Sequence, residues 1–159
     1  MGFHHGLTTR DLNVSPGLTD ALQSLDQFVD DAVSPLRSTV TQFGYERHLL
    51  HIDPQHRFVI LNLIWPPGAA TPFHRHLVWC AYTLVSGKLT EMVSKKDLSG
   101  YGERALVPGT INFDAGGGAY THRLVNTSGE TARSIHIYGV APDHYETGVN
   151  VFIDEMMHP

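Results

Sequence analysis

Two histidines separated by one residue are the first feature of this sequence with chemical potential. His74 and His76 flank Arg75, and in a β-strand residues two apart lie on the same face, so both imidazoles can reach one metal ion. Because the chain has 11 histidines in 159 residues, such a pair also arises by chance among ordinary strand histidines. The supporting context is His122, which Asn126 follows in a second segment. Three imidazoles with open coordination positions suit ferrous iron, and equally zinc, nickel or manganese.

A polar row later in the chain is the second candidate. Ser134, His136 and Tyr138 alternate with Ile135 and Ile137, which predicts a strand with one polar face. If that face is buried, the three polar side chains need one another as hydrogen-bond partners, and the phenol can point at a metal. If it faces solvent, the row is simply hydrated, and the alternation alone slightly favours this interpretation.

Composition limits the partners of the chain. The net charge is −5, and the longest basic run is Lys95-Lys96, so we expect a small-molecule partner and neither nucleic acid nor a membrane. The apolar stretches are too short for a signal peptide or a bilayer span. The single cysteine, Cys80, excludes an internal disulfide and fits a reducing compartment, although a buried apolar role is its commoner fate. We therefore expect a cytoplasmic protein.

The elements that position these residues begin with a predicted helical prefix over residues 15–43. Apolar residues recur at three- and four-residue spacing from Leu18 to Val33, after a Ser15-Pro16 start, and a shorter helical stretch is expected over residues 38–43. From residue 44 onward, β-branched and aromatic runs separated by glycine and proline predict short strands. The predicted strands are 58–65, 78–85, 88–93, 104–107, 110–113, 122–126 and 133–140.

Turn residues connect these strands. Ser86-Gly87 predicts a tight hairpin, residues 95–102 predict a solvated loop, and the run Gly116-Gly117-Gly118 predicts a loop or a close backbone approach. Because no later helix is available for parallel crossovers, we predict a mainly all-β antiparallel barrel or sandwich. One domain is expected over residues 1–159, with the barrel at 44–140 and a solvent-facing C-terminal extension at 141–159.

The two histidine segments resemble the paired motifs of the cupin superfamily. In that superfamily the first motif supplies two histidines and usually a glutamate, and the second supplies a third histidine followed by an asparagine. Here Cys80 stands where the glutamate would be. The resemblance implies an antiparallel cupin β-barrel, or jelly roll, with a metal on His74, His76 and His122. Three neutral ligands leave the full charge of a divalent ion for an anionic ligand to neutralise.

The segment that follows His122 resembles one cupin family more closely. The row of Ser134, His136 and Tyr138 after the third histidine is similar to that of the cysteine dioxygenases, which are non-haem iron thiol dioxygenases. The resemblance implies Fe(II) as cofactor, O2 as co-substrate, and conversion of L-cysteine to cysteine sulfinate with this row as catalytic residues. It also implies that a thioether can join Cys80 to Tyr138.

Substrate-binding residues follow from the same resemblance. Arg47 matches the arginine that binds the substrate carboxylate, and Tyr45 matches a tyrosine that helps to orient it. Trp79 resembles instead the related 3-mercaptopropionate dioxygenases, whose substrate lacks the amine and which usually carry glutamine where Arg47 stands. The alternatives are therefore oxidation of 3-mercaptopropionate or another small thiol, a cupin dioxygenase acting on a non-thiol such as a diketone, and a non-catalytic small-molecule-binding cupin. The sequence does not predict an oligomeric state.

Overall fold

The computed structural model describes residues 4–5, 7–30, 33–94, 100–118 and 120–153. Its helices within these residues are α1 (Thr9–Val14), α2 (Leu18–Ser24) and α3 (Asp26–Val29), with a 3-10 helix at Pro142–His144. Its strands within the same residues are β1 (His4–His5), β2 (Arg37–Val40), β3 (Glu46–Ile52), β4 (Val59–Trp65), β5 (His74–His76), β6 (Cys80–Ser86), β7 (Thr90–Ser94), β8 (Tyr101–Ala105), β9 (Ile111–Asp114), β10 (Thr121–Val125), β11 (Ala132–Tyr138) and β12 (Asn150–Phe152). None of the helices described is both long and apolar enough to cross a lipid bilayer.

Two sheets carry the site. The first has the strand order β1-β9-β6-β11-β4-β3-β2, and the second has the order β12-β5-β10-β7-β8. Every pairing is antiparallel except that of β1 with β9. Side chains from both sheets share one core, which includes Leu61, Tyr82 and Leu124. The prediction of a mainly antiparallel β-fold with few helices is confirmed.

The helices cover the outer face of the first sheet. α1 begins with a reciprocal cap, in which the Thr8 side chain accepts from the Asp11 N–H and the Asp11 carboxylate accepts from the Thr8 N–H. Leu18 and Ala21 of α2 and Phe28 of α3 are buried in a second cluster with isoleucines of β4 and β11. The predicted helical stripe is present, but it is divided at Leu25 and ends before residue 30.

Strand β11 is consequently buried on both faces. It pairs with β4 on one side and β6 on the other, and all seven of its residues are buried. Ile135 and Ile137 pack under the helices, while the polar row faces the core between the sheets. The solvent-facing interpretation of the polar row is wrong, because helices cover the isoleucine face and the other sheet covers the polar face.

Several local predictions need correction. Residues 38–40 of the helix expected at 38–43 belong instead to β2, whose β-branched residues pair with β3, and residues 41–43 lead into a turn. Ser86-Gly87 does not form a hairpin, since β6 and β7 belong to different sheets. Residues 95–99 of the predicted loop lie outside the described residues, and Tyr101 and Gly102 belong to β8. The close approach at the glycine run is confirmed, because a Cβ on Gly116 would lie 2.5 Å from the carbonyl carbon of Val78.

Candidate metal centre and substrate cavity

Three buried histidines converge between two neighbouring strands of the second sheet. His74 and His76 come from β5, and His122 of β10 lies directly opposite His74 in register. Their candidate ligand nitrogens all lie within 4.8 Å of one another, and the Nε2 atoms of His76 and His122 are 3.4 Å apart. Two nitrogens bound to one metal at about 2.1 Å stand about 3.0–3.4 Å apart for octahedral to tetrahedral angles. The donor set therefore fits a divalent transition metal.

Groups behind the first two histidines orient them. The Nδ1 atom of His74 lies 2.9 Å from the Pro72 carbonyl oxygen, and that of His76 lies 2.9 Å from Asp114 Oδ2. Asp114 also accepts the Gly116 N–H through Oδ1. Because both Nδ1 atoms face acceptors, they carry the protons and the Nε2 lone pairs face inward. Burial lowers the pKa of both histidines, which favours the neutral form that binds metal.

A fully buried carboxylate orients the third histidine. Glu91 Oε1 lies 2.6 Å from His122 Nδ1 and accepts the hydroxyls of Tyr82 at 2.5 Å and Tyr120 at 3.0 Å. Its Oε2 accepts from the Arg104 guanidinium. Although burial opposes ionisation, the His122, Tyr82 and Arg104 contacts lower the pKa of Glu91 to about 2. Glu91 and Asp114 were not predicted from the sequence, where their only signal is an acidic residue within an apolar strand or at its end.

The polar row of β11 runs from the core to the histidine cluster. Trp65 Nε1 donates to Ser134 Oγ at 2.8 Å, and that oxygen lies 3.0 Å from His136 Nε2. The other ring nitrogen of His136 lies 3.3 Å from the Tyr138 hydroxyl, and the Tyr138 ring lies edge-on to His76 at 5.9 Å. The structure thus brings the three predicted catalytic side chains together as one hydrogen-bonded chain beside the metal ligands.

A small cavity connects these groups. It offers about 20 Å³ to the centre of a water-sized sphere, and its walls include the histidine cluster, Tyr138, Tyr45, Arg47 and Asn150. Tyr45 stacks on Trp65 with ring centroids 4.7 Å apart. The cavity is therefore narrow, which favours a small substrate.

Arg47 brings a positive charge to this cavity. It is half-buried, its Nη2 donates to the Tyr145 carbonyl oxygen at 3.2 Å, and its guanidinium lies 5.6 Å from the Tyr145 ring centroid. Among the described residues, no carboxylate pairs with it. Tyr145 is buried, so the expectation of a solvent-facing C-terminal extension is wrong at this residue.

Comparisons with known proteins agree with this architecture. No protein-family model matches the sequence. A cupin 2 conserved barrel domain protein from Rhodopseudomonas palustris superposes with a TM-score of 0.56 at 16% identity, over 79% of this chain and 79% of that one. The chain has the cupin fold.

Two named enzymes share this cupin fold. A sugar phosphate isomerase of the cupin superfamily from Silicibacter pomeroyi matches with a TM-score of 0.54 at 18% identity, over 70% of this chain and 74% of that one. An oxalate oxidase in complex with the substrate analogue glycolate matches with a TM-score of 0.55 at 14% identity, over 78% of this chain and 62% of that one. The cupin resemblance of the sequence is therefore confirmed at the level of the fold.

Two further predicted site residues lie on opposite faces of the cupin barrel wall. Cys80 is fully buried and stands directly opposite Tyr138 in the pairing of β6 with β11; burial raises the pKa of its thiol well above the ordinary value. Trp79, the preceding residue, packs in the cluster beneath the helices, against Gly139. Because neighbouring residues alternate between faces, the structure does not bring the Trp79 side chain to the cavity, which corrects its assignment as a substrate-binding residue.

Proposed function

We propose that this protein is an Fe(II)-dependent thiol dioxygenase that converts L-cysteine and O2 to cysteine sulfinate. In this reaction both atoms of O2 are added to the thiol sulfur, which is oxidised while O2 is reduced, so no other reductant is needed. The observation that carries the proposal is the meeting, in one small cavity, of the three-histidine cluster with Tyr138 and Arg47.

His74, His76 and His122 would hold the metal. A bound ferrous ion supplies a Lewis-acidic, redox-active centre that favours the thiolate form of the substrate and activates O2. Asp114 and Glu91 lie behind two of the histidines, where hydrogen-bonded carboxylates raise ligand basicity. The absence of a carboxylate from the cluster itself leaves the charge of the ion for the anionic sulfur to neutralise.

Arg47 would bind the substrate carboxylate. A guanidinium forms two parallel charge-assisted hydrogen bonds to a carboxylate, which fixes orientation as well as position. The contact with the Tyr145 carbonyl uses Nη2, and no other group in the described part of the chain accepts a hydrogen bond from the fork. This anchor holds a small thiol acid with its sulfur toward the histidines.

Tyr138 would donate a hydrogen bond to the reacting atoms. Trp65 Nε1 can only donate, so Ser134 Oγ accepts from it, and the Ser134 hydroxyl has no other acceptor among the described residues than His136 Nε2. His136 then carries its proton on Nδ1 and donates to the Tyr138 oxygen. Burial raises the pKa of Tyr138 well above its ordinary value, so the phenol keeps its own proton free to point into the cavity.

The thioether between Cys80 and Tyr138 belongs to this proposal. Forming the bond from sulfur to a ring carbon removes one hydrogen from the thiol and one from the ring, and O2 takes up both with their electrons to become hydrogen peroxide. The two residues face each other across paired strands. Intact mass measurement of the protein after turnover would show the cross-link as the loss of a pair of hydrogen atoms, and Cys80→Ser would abolish that loss.

The experiment that tests the proposed function compares two histidine variants. His122→Ala removes a proposed ligand, whereas His56→Asn changes an exposed histidine at φ 57, a backbone conformation that asparagine tolerates. After anaerobic loading with Fe(II), we expect wild type and His56→Asn to retain iron and to oxidise L-cysteine to a sulfinate. His122→Ala should lose both properties. Equal thiol oxidation by all three proteins would contradict the assignment.

A second candidate is oxidation of a small non-thiol carboxylate. It is favoured by the structural likeness to an oxalate oxidase bound to glycolate and by a cavity arginine that suits any small acid. Oxygen uptake with glycolate or oxalate, and none with thiols, would support this candidate instead. If the protein binds metal but consumes no oxygen with any of these compounds, a non-catalytic small-molecule-binding role would remain.

A further inference from the structure

One amide oxygen in the cavity wall has no hydrogen-bond partner. Asn150 Oδ1 is buried, and none of the described residues donates to it. More than nine in ten buried polar groups in proteins have a partner, and an unpaired acceptor costs free energy. This oxygen is therefore available to a donor that enters the cavity.

The backbone directs the Asn150 side chain toward the metal ligands. Asn150 begins β12 and lies directly opposite His76 in an antiparallel pair, and residues directly opposite each other place their side chains on the same face. The next residue, Val151, turns to the other face and is 43% exposed. Asn150 thus lines the same cavity as Arg47 and the histidine cluster.

Two other polar side chains of this wall already have partners. The Thr71 hydroxyl accepts the Leu124 N–H at 3.0 Å, and His136 lies between Ser134 and Tyr138. Asn150 Oδ1 is the acceptor that remains without a donor among the described residues.

We propose that Asn150 is a specificity-determining residue, whose amide oxygen accepts a hydrogen bond from the amino group of an α-amino thiol. This inference rests on the proposed thiol dioxygenase function. With the carboxylate on Arg47 and the sulfur toward the histidines, the amino group is the remaining polar group of L-cysteine, and it keeps N–H bonds to donate even when its nitrogen binds the metal. A thiol acid without an amine, such as 3-mercaptopropionate, leaves the amide oxygen unpaired. The site therefore selects L-cysteine over its amine-free analogue.

Two variants of Asn150 separate the acceptor from the bulk of the side chain. Asn150→Leu keeps a similar volume and removes the acceptor, whereas Asn150→Asp keeps an acceptor and adds a negative charge. Each variant is loaded with Fe(II), its metal content is measured, and kcat/KM is determined for L-cysteine and for 3-mercaptopropionate. Anaerobic calorimetry with the zinc-loaded proteins reports binding of both thiols without turnover.

Asn150→Leu is expected to lower kcat/KM and affinity for L-cysteine by about tenfold or more, while values for 3-mercaptopropionate change by no more than about twofold. Asn150→Asp should keep kcat/KM for L-cysteine and lower it for 3-mercaptopropionate, because the added carboxylate repels the acid's negative charge and 3-mercaptopropionate offers no N–H donor to offset this. Equal losses for both thiols in Asn150→Leu, or no loss for either, would overturn the inference while the proposed function stands. If wild type oxidises neither thiol, the proposed function fails and this inference fails with it.

Discussion

At the scale of single residues, the groups behind the three histidines decide which nitrogen faces the metal. Glu91 and Asp114 hold the Nδ1 protons of His122 and His76, and a carbonyl does the same for His74. A metal ligand whose outer partner is removed binds more weakly, because its ring orientation and tautomer are no longer fixed.

We therefore predict that Asp114→Asn and Glu91→Gln each lower metal affinity by about tenfold to a hundredfold. Affinity is measured by competition with a chelator, and thermal unfolding of the metal-free variants checks that each has folded. Glu103→Gln, which changes an exposed carboxylate on β8, is the matched control. Unchanged metal affinity in both buried variants would show that these carboxylates do not support the ligands.

Replacing Tyr138 with phenylalanine removes a hydroxyl and leaves the ring in place. If this hydroxyl donates to the reacting atoms, kcat should fall by about a hundredfold, while the iron content of the protein is unchanged. Tyr101→Phe, at an exposed tyrosine, is the control for the loss of a phenol. Loss of iron from Tyr138→Phe would instead identify Tyr138 as a group that maintains the metal site.

The residues found from sequence and those missed differ in how local their signals are. The histidine pair and the Ser134 to Tyr138 row carry their spacing within a few residues, so pattern and family resemblance could find them. Glu91 meets His122 across 31 positions of sequence, and Asn150 meets His76 only through strand pairing. The roles of Glu91 and Asn150 can be recognised only once strand pairing has brought their partners beside them.

At the scale of elements, β11 is the central support of the site. Its isoleucines pack under the helices, and its polar row faces the cavity, so packing on one face fixes hydrogen-bond geometry on the other. Ile137, 1% exposed, should therefore matter for stability although it contacts no substrate.

Ile137→Ala is predicted to lower the free energy of unfolding by about 2–5 kcal/mol, through lost burial and the cavity left behind. Urea denaturation followed by circular dichroism measures the change. Val151→Ala, at a 43% exposed position, should change stability by less than about 0.5 kcal/mol. A similar small effect at Ile137 would mean that the helices do not stabilise β11.

An ion pair fixes the turn between β3 and β4 and reaches the helices. Asp53 accepts three hydrogen bonds from Arg57, and Arg57 also pairs with Asp20 of α2. The side-chain hydrogen bonds from Arg57 lower the pKa of Asp53, although burial opposes this. A carboxyl group whose pKa is lower in the folded state than in the unfolded state stabilises the protein at pH values above the unfolded-state pKa. This contribution is lost as the pH falls through the pKa of the folded state.

Asp53→Asn is accordingly predicted to cost about 1–2 kcal/mol at neutral pH. The difference from wild type should narrow as pH falls below about 4. Urea unfolding at a series of pH values measures the cost of the substitution and its dependence on pH. Asp143→Asn, at an exposed position, is the control. A difference that stays constant or grows in acid would refute this role.

Element prediction succeeded where a pattern extends over several residues. The long alternation of β11 and the apolar runs of β4 and β6 were predicted within a few residues of their observed bounds. The strands β1, β2, β3, β5 and β12 were not among those predicted. Four of them have only two to four residues, which carry too little pattern, and the seven-residue β3 does not alternate apolar with polar residues. The Ser86-Gly87 turn looked like a hairpin because turn residues do not reveal that the next strand joins another sheet.

At the scale of the whole molecule, the cupin fold brings together side chains from distant parts of the chain. β3 contributes Arg47, β5 and β10 contribute the histidines, β11 contributes Tyr138, and β12 contributes Asn150. Sequence could indicate the antiparallel fold and, through paired motifs, its cupin type. It could not place β12 beside β5, since no local pattern encodes that contact.

Metal binding should stabilise the entire fold. The histidines occupy the core between the sheets, and a ligand that binds only the folded state raises stability by mass action. With metal at about a hundred times its dissociation constant, the expected gain is about 2.7 kcal/mol, seen as a higher Tm. His122→Ala should show no such gain, and an equal gain in that variant would place the metal elsewhere.

The measurement that tests the central claim most directly is the fate of isotopically labelled O2 during oxidation of L-cysteine by the iron-loaded protein. We predict that one O2 is consumed for each cysteine, and that both oxygen atoms of the resulting sulfinate carry the label. Consumption of cysteine that yields only its disulfide, or a sulfinate labelled at neither oxygen, would contradict the assignment of this protein as a thiol dioxygenase.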